Sequence, residues 1–284
     1  MKKIILLLCL VLLSACSFGD DFSDTYLYTT SYPIEYAADM LYSNYANISS
    51  IYPNGSDTTY EITDKKKEKY SESEIFIYAG ISNEAYIAKD ILNLNHDLKL
   101  IDATKGITSS DNFTSVWLDP SNYLMLCSNL KKNLIEFNSN VYIKEEIENN
   151  YKELNEKISE LDVQLYNIGK NGNYDTILTT NNLFNYLTKY NINVISLDEK
   201  NTSIDKAYAD AKKLIESKGI QYIYLLEGDE LNQTQEKLVT DNSLVKIEIN
   251  NLFTLTDEER NENKDYISLM NETIENYKKE LYKK

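Results

Sequence analysis

Short apolar runs alternate with amphipathic segments from residue 26 to the C-terminus. Tyr26 to Thr30 reads as a strand, and Pro33 then opens a helix at the first helical position, where its missing N–H is no loss. Ile48 to Tyr52 is a short apolar run stopped by the turn signal Pro53-Asn54-Gly55. Residues 61–71 are polar and predict a helix. Glu74 to Gly80 predicts a buried strand, 83–92 a helix, Leu98 to Asp102 a strand, and Pro120 starts a helix that runs to about Phe137. The second half repeats the theme. Tyr174 to Thr180 predicts a strand, 181–190 a helix and Val194 to Ser196 a strand. Residues 203–218 predict an amphipathic helix closed by Gly219 as the left-handed residue after its end. Ile220 to Leu226, running into Glu227, and Leu244 to Ile249 predict strands, and 263–282 a last helix with lysines in its final turn. Such alternation argues for parallel sheets with helices on their faces.

The middle of the chain breaks this rhythm. Val141 to Ile168 contains no Gly or Pro, and Ile143, Ile147, Tyr151, Leu154, Ile158, Leu161, Leu165 and Ile168 recur at spacings of three and four. That pattern predicts one long helix with a single stripe facing protein. At 1.5 Å per residue it spans about 40 Å, more than one small domain needs. The heptad-like spacing also permits a coiled-coil dimer. Resumption of α/β signals right after Gly169-Lys170-Asn171-Gly172 favours an intramolecular linking helix. The expected organisation is a leader at 1–15, a tether at 16–25, an N-terminal α/β lobe at 26–140, a linking helix at 141–169 and a C-terminal α/β lobe at 170–284.

The leader carries its own information. Lys2 and Lys3 precede the apolar run Ile4 to Leu13, and Leu13-Ser14-Ala15-Cys16 follows. This is a secretory signal, too short for the roughly 20 residues a membrane-spanning helix needs. Cys after Leu-Ser-Ala fits the bacterial lipoprotein pattern, in which Cys16 becomes the lipidated first residue. Lipid there places the protein on the outer face of the cell membrane, with 17–25 as a short leash.

Composition narrows the function. A net charge of −16 disfavours nucleic-acid binding, which needs clustered Lys and Arg. It also leaves membrane attachment to the lipid rather than to a basic face. Cleavage leaves Cys16 and Cys127, so no disulfide framework exists, and the apolar setting of Cys127 reads as core. An enzyme is disfavoured. The chain's one histidine, His96, sits in a loop-like Leu94-Asn95-His96-Asp97, no Gly-rich phosphate loop occurs, and no carboxylate pair has a recognisable spacing.

Ser115-Val116-Trp117-Leu118-Asp119-Pro120 holds the only tryptophan. It resembles the His-Val-Trp-Leu-Asp-Pro segment of the zinc/manganese ABC-transporter substrate-binding lipoproteins, with Ser115 in place of a metal-binding His. Thr30-Ser31-Tyr32-Pro33-Ile34 resembles that family's opening strand-to-helix motif. Residues 52–61 resemble its Pro-x-Gly-x-Asp-Pro-His-x-Tyr-Glu segment shortened by one, so Thr58 or Thr59 takes the His position. Thr179 to Leu187 resembles its Ser-His-Asp-Ala-Phe-x-Tyr-Leu segment, with Asn181 at the third His. Glu227 matches an acidic position, and in Lys264-Asp265-Tyr266-Ile267-Ser268-Leu269-Met270 the last acidic ligand falls on Lys264, with Asp265 one place off. The family's His-rich loop is missing.

The resemblance implies two parallel-sheet lobes on a rigid helix, a divalent metal ion (zinc or manganese) as cargo between them, and an ABC permease as partner. It implies Glu227 and Asp265 as remaining acidic metal ligands. Zinc sites favour His, Cys or carboxylate donors over hydroxyls, so the implied site is degenerate or altered. The alternative is a surface-tethered, adhesin-like interaction protein that kept the scaffold and lost transport.

Overall fold

The computed structural model describes residues 25–108 and 115–284, so Cys16 and the leader lie outside the described residues. The N-terminal lobe is built from β1 (Tyr26–Thr29), α1 (Tyr32–Tyr42), β2 (Asn47–Ser50), α2 (Asp64–Ser71), β3 (Ile75–Tyr78), α3 (Glu84–Leu94) and β4 (Lys99–Asp102). Its four strands are parallel in the order β2-β1-β3-β4. After the single-turn helix α4 (Ser115–Leu118) comes α5 (Pro120–Phe137), with Asp119 as its N-cap accepting from the Ser121 N–H at 3.0 Å.

The C-terminal lobe repeats this plan. It contains β5 (Thr176–Thr179), a 3-10 helix (Asn182–Tyr190), β6 (Asn193–Ser196), α7 (Ile204–Glu216), β7 (Tyr222–Leu226), α8 (Gln233–Asn242), β8 (Val245–Ile249), α9 (Asp257–Asn261) and a last helix numbered α10 below. The second sheet, also parallel, runs β6-β5-β7-β8. In both lobes the first strand is central, the second lies on one side and the third on the other.

Between the lobes runs α6 (Val141–Asn171), 31 residues without a break, about 46 Å long. Ile143, Ile147, Leu154, Ile158, Leu161, Leu165 and Ile168 are buried along one stripe. That stripe packs against α5 and α1 of the N-terminal lobe and, further along, against the 3-10 helix and α10 (Tyr266–Leu281). The linking helix therefore contributes to the core of both lobes within one chain. Among the described residues no helix is long and apolar enough to cross a membrane.

Several local expectations are corrected. The left-handed residue after α7 is Lys218 (φ 60°), not Gly219, where an added Cβ would stand 3.2 Å from the Leu214 carbonyl oxygen. The helix expected at 181–190 is present as a 3-10 helix over Asn182–Tyr190, with Asn181 as its N-cap. The helices α8 and α9 went unread from sequence. Both open on a reciprocal capping box, Asn232 with Gln235 and Thr256 with Glu259, and neither carries a long apolar stripe.

Gly169 lies inside α6 where the helix meets the end of the 3-10 helix, and a Cβ there would stand 1.8 Å from the Tyr190 carbonyl oxygen. Gly→Ala normally favours a helix by about 1 kcal/mol, but a clash with backbone costs about 1–3 kcal/mol. Gly169→Ala is therefore expected to destabilise, seen as a lower urea midpoint with an unchanged slope.

Candidate functional site

The lobes meet along a seam where the loop between β8 and α9 lies on the N-terminal lobe. The Tyr32 N–H donates to the Phe253 carbonyl at 2.9 Å, and the Gly55 N–H to the Leu255 carbonyl at 2.9 Å. Trp117, wholly buried, donates its Nε1–H to the Asn251 carbonyl at 2.8 Å, while the Tyr266 hydroxyl donates to the Trp117 carbonyl at 2.6 Å. Aromatic rings fill the space. Tyr266 stacks on Tyr123 at 4.0 Å between centroids and lies 5.8 Å from Tyr36, and Tyr52 packs on Phe253 at 4.7 Å. The tryptophan that marks the sequence motif is thus a seam residue, packed and hydrogen-bonded across the lobes.

A second seam lies beside α6. Lys189 of the 3-10 helix pairs with the buried Asp119 carboxylate and donates to Ser121 Oγ at 2.8 Å. Asp162 on α6 accepts from the Tyr190 hydroxyl at 2.6 Å and from Ser121 Oγ at 3.2 Å.

Of the positions where the resemblance would put histidine, Thr59 and Asn181 have local partners. Thr58 is exposed, and Thr59 folds back on Asp57, its N–H and hydroxyl both donating to Asp57 Oδ1 at 2.8 and 2.6 Å. Ser115 opens α4 and its carbonyl accepts from the Asp119 N–H at 3.2 Å. Asn181 caps the 3-10 helix, accepting from the Leu183 N–H at 3.0 Å, and donates to Asp229 at 3.1 Å. His96 is exposed in the turn before β4.

The two acidic candidates have different neighbours. Glu227, at the C-terminal end of β7, lines a cavity of about 220 Å³ with Glu248, Asn250, Glu259, Glu272 and Thr273. Partial desolvation raises its carboxyl above the usual range, and the Glu259 and Glu248 carboxylates add to this while Lys264 opposes it. Lys264, in the ligand's register, instead pairs with Glu272 at 3.1 Å and Glu262 at 3.6 Å. Asp265 is the N-cap of α10, accepting from the Ser268 N–H at 2.7 Å in a capping box. Its charge also faces Tyr32 and Tyr36, whose phenols burial first and Asp265 second hold far above their usual range. Among the described residues, no three His, Cys, Asp or Glu side chains gather closely enough to hold a metal ion.

Sequence reading also missed Glu84. It is 3% exposed at the start of α3, its Oε2 accepts from the Thr30 hydroxyl and from the Ala79 N–H at 3.0 Å, and its Oε1 has no partner. Burial raises its pKa to about 7 against hydrogen bonds that lower it. No local motif announces it, because its partners come from other strands' ends. Burial also pushes the Cys127 thiol up, which makes it a poor nucleophile.

The sequence profile of the family described as "Zinc-uptake complex component A periplasmic" (ZnuA) matches residues 27–280. No curated protein sequence matches significantly. Among solved structures, the Zn(II)-bound ZnuA-like domain of Streptococcus pneumoniae AdcA is 21% identical, with TM-score 0.73 over 91% of this chain and 99% of that one. The metal-dependent lipoprotein YcdH of Bacillus subtilis is 19% identical, with TM-score 0.74 over 90% and 99%. Streptococcus pneumoniae AdcAII is 17% identical, with TM-score 0.72 over 90% and 98%. Likeness at these identities establishes the two-lobed fold.

Two outcomes test this description. The raised Glu84 carboxyl means the folded state holds a proton that the unfolded chain has released above about pH 4.5. Its contribution is complete below that value and is lost as pH rises through about 7. Glu84→Gln keeps the acceptor for Thr30 and Ala79. It is expected to remove on the order of 3 kcal/mol of pH dependence between pH 5 and 8, read as the difference in chemical-denaturation stability from wild type. Tyr266→Phe removes the donor to Trp117 and is expected to cost about 1–2 kcal/mol, measured in guanidinium.

Proposed function

Because the chain belongs to the family of zinc-uptake complex component A proteins, matched over residues 27–280, we propose that it is the substrate-binding lipoprotein of a zinc/manganese-type ABC importer. In this reading Cys16 carries the lipid that tethers it to the outer face of the membrane. A divalent cation bound between the lobes is handed to a membrane permease. The domain division is the one read from sequence, with lobes at 26–140 and 170–284 on a linking helix at 141–169. The observation that carries the proposal is the extent of the match, which takes in both lobes and the helix between them rather than one α/β unit.

The metal site is altered. Thr58 or Thr59, Ser115 and Asn181 replace imidazole with oxygen and amide donors, leaving Glu227 and Asp265 as the charged candidates. Loss of even one outer-shell partner of a metal ligand costs about 10- to 100-fold in affinity, so loss of imidazole ligands costs more. Oxygen donors shift preference from zinc toward harder cations such as manganese or calcium. A second reading, a surface interaction protein on the same scaffold, draws on one specific observation: the seam is filled by Tyr123, Tyr266, Trp117 and Phe253 and crossed by hydrogen bonds.

Calorimetry of residues 17–284 with zinc, manganese and calcium separates the readings. The receptor predicts a Kd of roughly micromolar or tighter for at least one ion, weakened about tenfold or more by Glu227→Gln or Asp265→Asn. Asparagine is the proper replacement at 265, since it caps α10 as well as aspartate does while removing the charge. Absence of binding by all three ions favours the interaction protein.

A further inference from the structure

Arg260 is the only arginine in a chain whose other basic side chains, apart from one histidine, are all lysines. It belongs to α9 of the C-terminal lobe, yet it reaches into the N-terminal lobe. Its Nη2 donates to both carboxylate oxygens of Glu35, at 3.3 and 3.0 Å, and its Nε donates to Asn54 Oδ1 at 2.7 Å. The guanidinium lies 5.6 Å from the centroid of the Tyr32 ring. Asn54 is held from its other side as well, its amide donating to Asp257 Oδ1 at 2.8 Å. Asp257 and Arg260 stand three apart on α9 and so share a face. The capping box of Thr256 and Glu259 fixes that helix in place. A lysine ammonium offers neither the planar fork nor the stacking surface, so an arginine here is a chemical requirement.

The chain leading to α9 is docked along the same line. Its Asn251, Phe253 and Leu255 carbonyls accept from Trp117 Nε1–H, the Tyr32 N–H and the Gly55 N–H, and Thr254 Oγ1 donates to the Ser56 carbonyl at 2.7 Å. Leu252 is forced to a φ of 60°, with its N–H donating to Asn250 Oδ1 at 2.7 Å. A bulky residue persists in that region only when its surroundings over-determine it. Here the residues on either side of it, Asn251 and Phe253, are the ones bonded to the opposite lobe.

We infer that residues 251–260, ending in Arg260, form an internal clasp that holds the two lobes closed with no ligand between them. In two-lobed binding proteins, domain closure is the work of a ligand that contacts both sides and so favours the closed state. This chain makes those cross-lobe contacts with its own side chains. Closure is thereby uncoupled from cargo, and the same closed surface faces a partner whether or not a cation is present. The clasp stands whether or not the chain binds metal, because none of its contacts involves a cation donor proposed above.

The test uses residues 17–284 with nitroxide labels at Tyr86→Cys and Lys237→Cys, exposed positions on opposite lobes; the buried Cys127 stays unlabelled. Pulsed electron spin resonance on the otherwise native protein is expected to show one narrow interlabel distance in EDTA, unchanged by zinc or manganese. Arg260→Ala and Glu35→Gln are each expected to broaden it, and Arg260→Lys not to restore it. Hydrogen exchange adds a local readout. In Arg260→Ala, the Tyr32 and Gly55 amides should lose protection about tenfold or more, the equivalent of a lost charge-assisted hydrogen bond. The Thr180 amide, bonded within the C-terminal lobe to Tyr224 at 2.9 Å, should keep its protection. A distance distribution that is broad in EDTA and narrows only with metal overturns the inference. So does an Arg260→Ala protein with unchanged distances and unchanged exchange at Tyr32 and Gly55. Metal affinity measured by calorimetry decides the receptor proposal separately and does not enter this result.

Discussion

One apolar stripe sets the geometry of the whole molecule. Ile143, Ile147, Leu154, Ile158, Leu161, Leu165 and Ile168 lie buried on a single unbroken helix. Fully burying a side chain of this kind is worth about 1.5–3 kcal/mol. Because α5 and α1 take one stretch of the stripe while α10 and the 3-10 helix take another, neither lobe can turn without exposing core that belongs to α6. Sharp helix kinks need Pro, Gly or Ser pairs, or a π-bulge, and the stripe region of 141–168 contains no Gly or Pro. Relative lobe motion is therefore confined to small excursions about a stiff element. Differences of single side chains at the seam then matter more than they would in a freely hinged protein.

The resemblance would put imidazoles at Thr58 or Thr59, Ser115 and Asn181, and two of these side chains form local hydrogen bonds. An imidazole is a neutral nitrogen donor with one ring nitrogen free for a metal. Threonine and asparagine at these positions bond locally instead: the Thr59 hydroxyl and N–H donate to the Asp57 carboxylate, and the Asn181 side chain caps the 3-10 helix. Asp265 likewise spends one carboxylate oxygen on capping α10. Short polar side chains compete well for nearby hydrogen-bonding groups, so Thr59 and Asn181 each add order to the segment that carries them. Lys264 brings a positive charge beside Glu272 and Glu262.

Much of the fold was legible because it rests on local pattern. The helix starting at Pro120, the unbroken stripe from Val141 and the apolar strands around Phe76 and Ile223 each carry their period in adjacent residues, and the structure has them where that period places them. What stayed hidden depends on distant partners. Nothing near Arg260 indicates that it answers Glu35, 225 residues away, though its being the lone arginine was a usable signal. Whether Asp265 caps or coordinates is equally invisible, since both roles suit a carboxylate before an apolar helix. The short helix α9 has too little apolar surface for a period to register. Gly219 misled because a glycine after a helix is usually the left-handed residue, whereas here that strain falls on Lys218.

The repeated strand order gives each lobe its own crevice for a ligand. An open α/β sheet normally binds ligand in the crevice where neighbouring strands send their connections to opposite sides. In the N-terminal lobe that point lies between β1 and β3, and in the C-terminal lobe between β5 and β7. The two are matched in detail: the Thr30 N–H bonds the carbonyl of Ile77 as the Thr180 N–H bonds that of Tyr224, and the hydroxyls of Thr29 and Thr179 turn to the carbonyls of Ser31 and Asn181. A buried polar side chain then reaches each crevice from within its own lobe. Glu84 closes the first against Thr30 and Ala79. Gln235 lies beside the second, donating to the carbonyls of Thr180 at 3.3 Å and Leu197 at 3.1 Å. The two crevices therefore differ: Glu84 lies wholly within the first, whereas Gln235 forms one wall of a cavity of about 360 Å³ shared with Thr180, Asn181, Asp198 and Asp229, so the acidic side chains around that space, not the strand order alone, decide what the second crevice can accept.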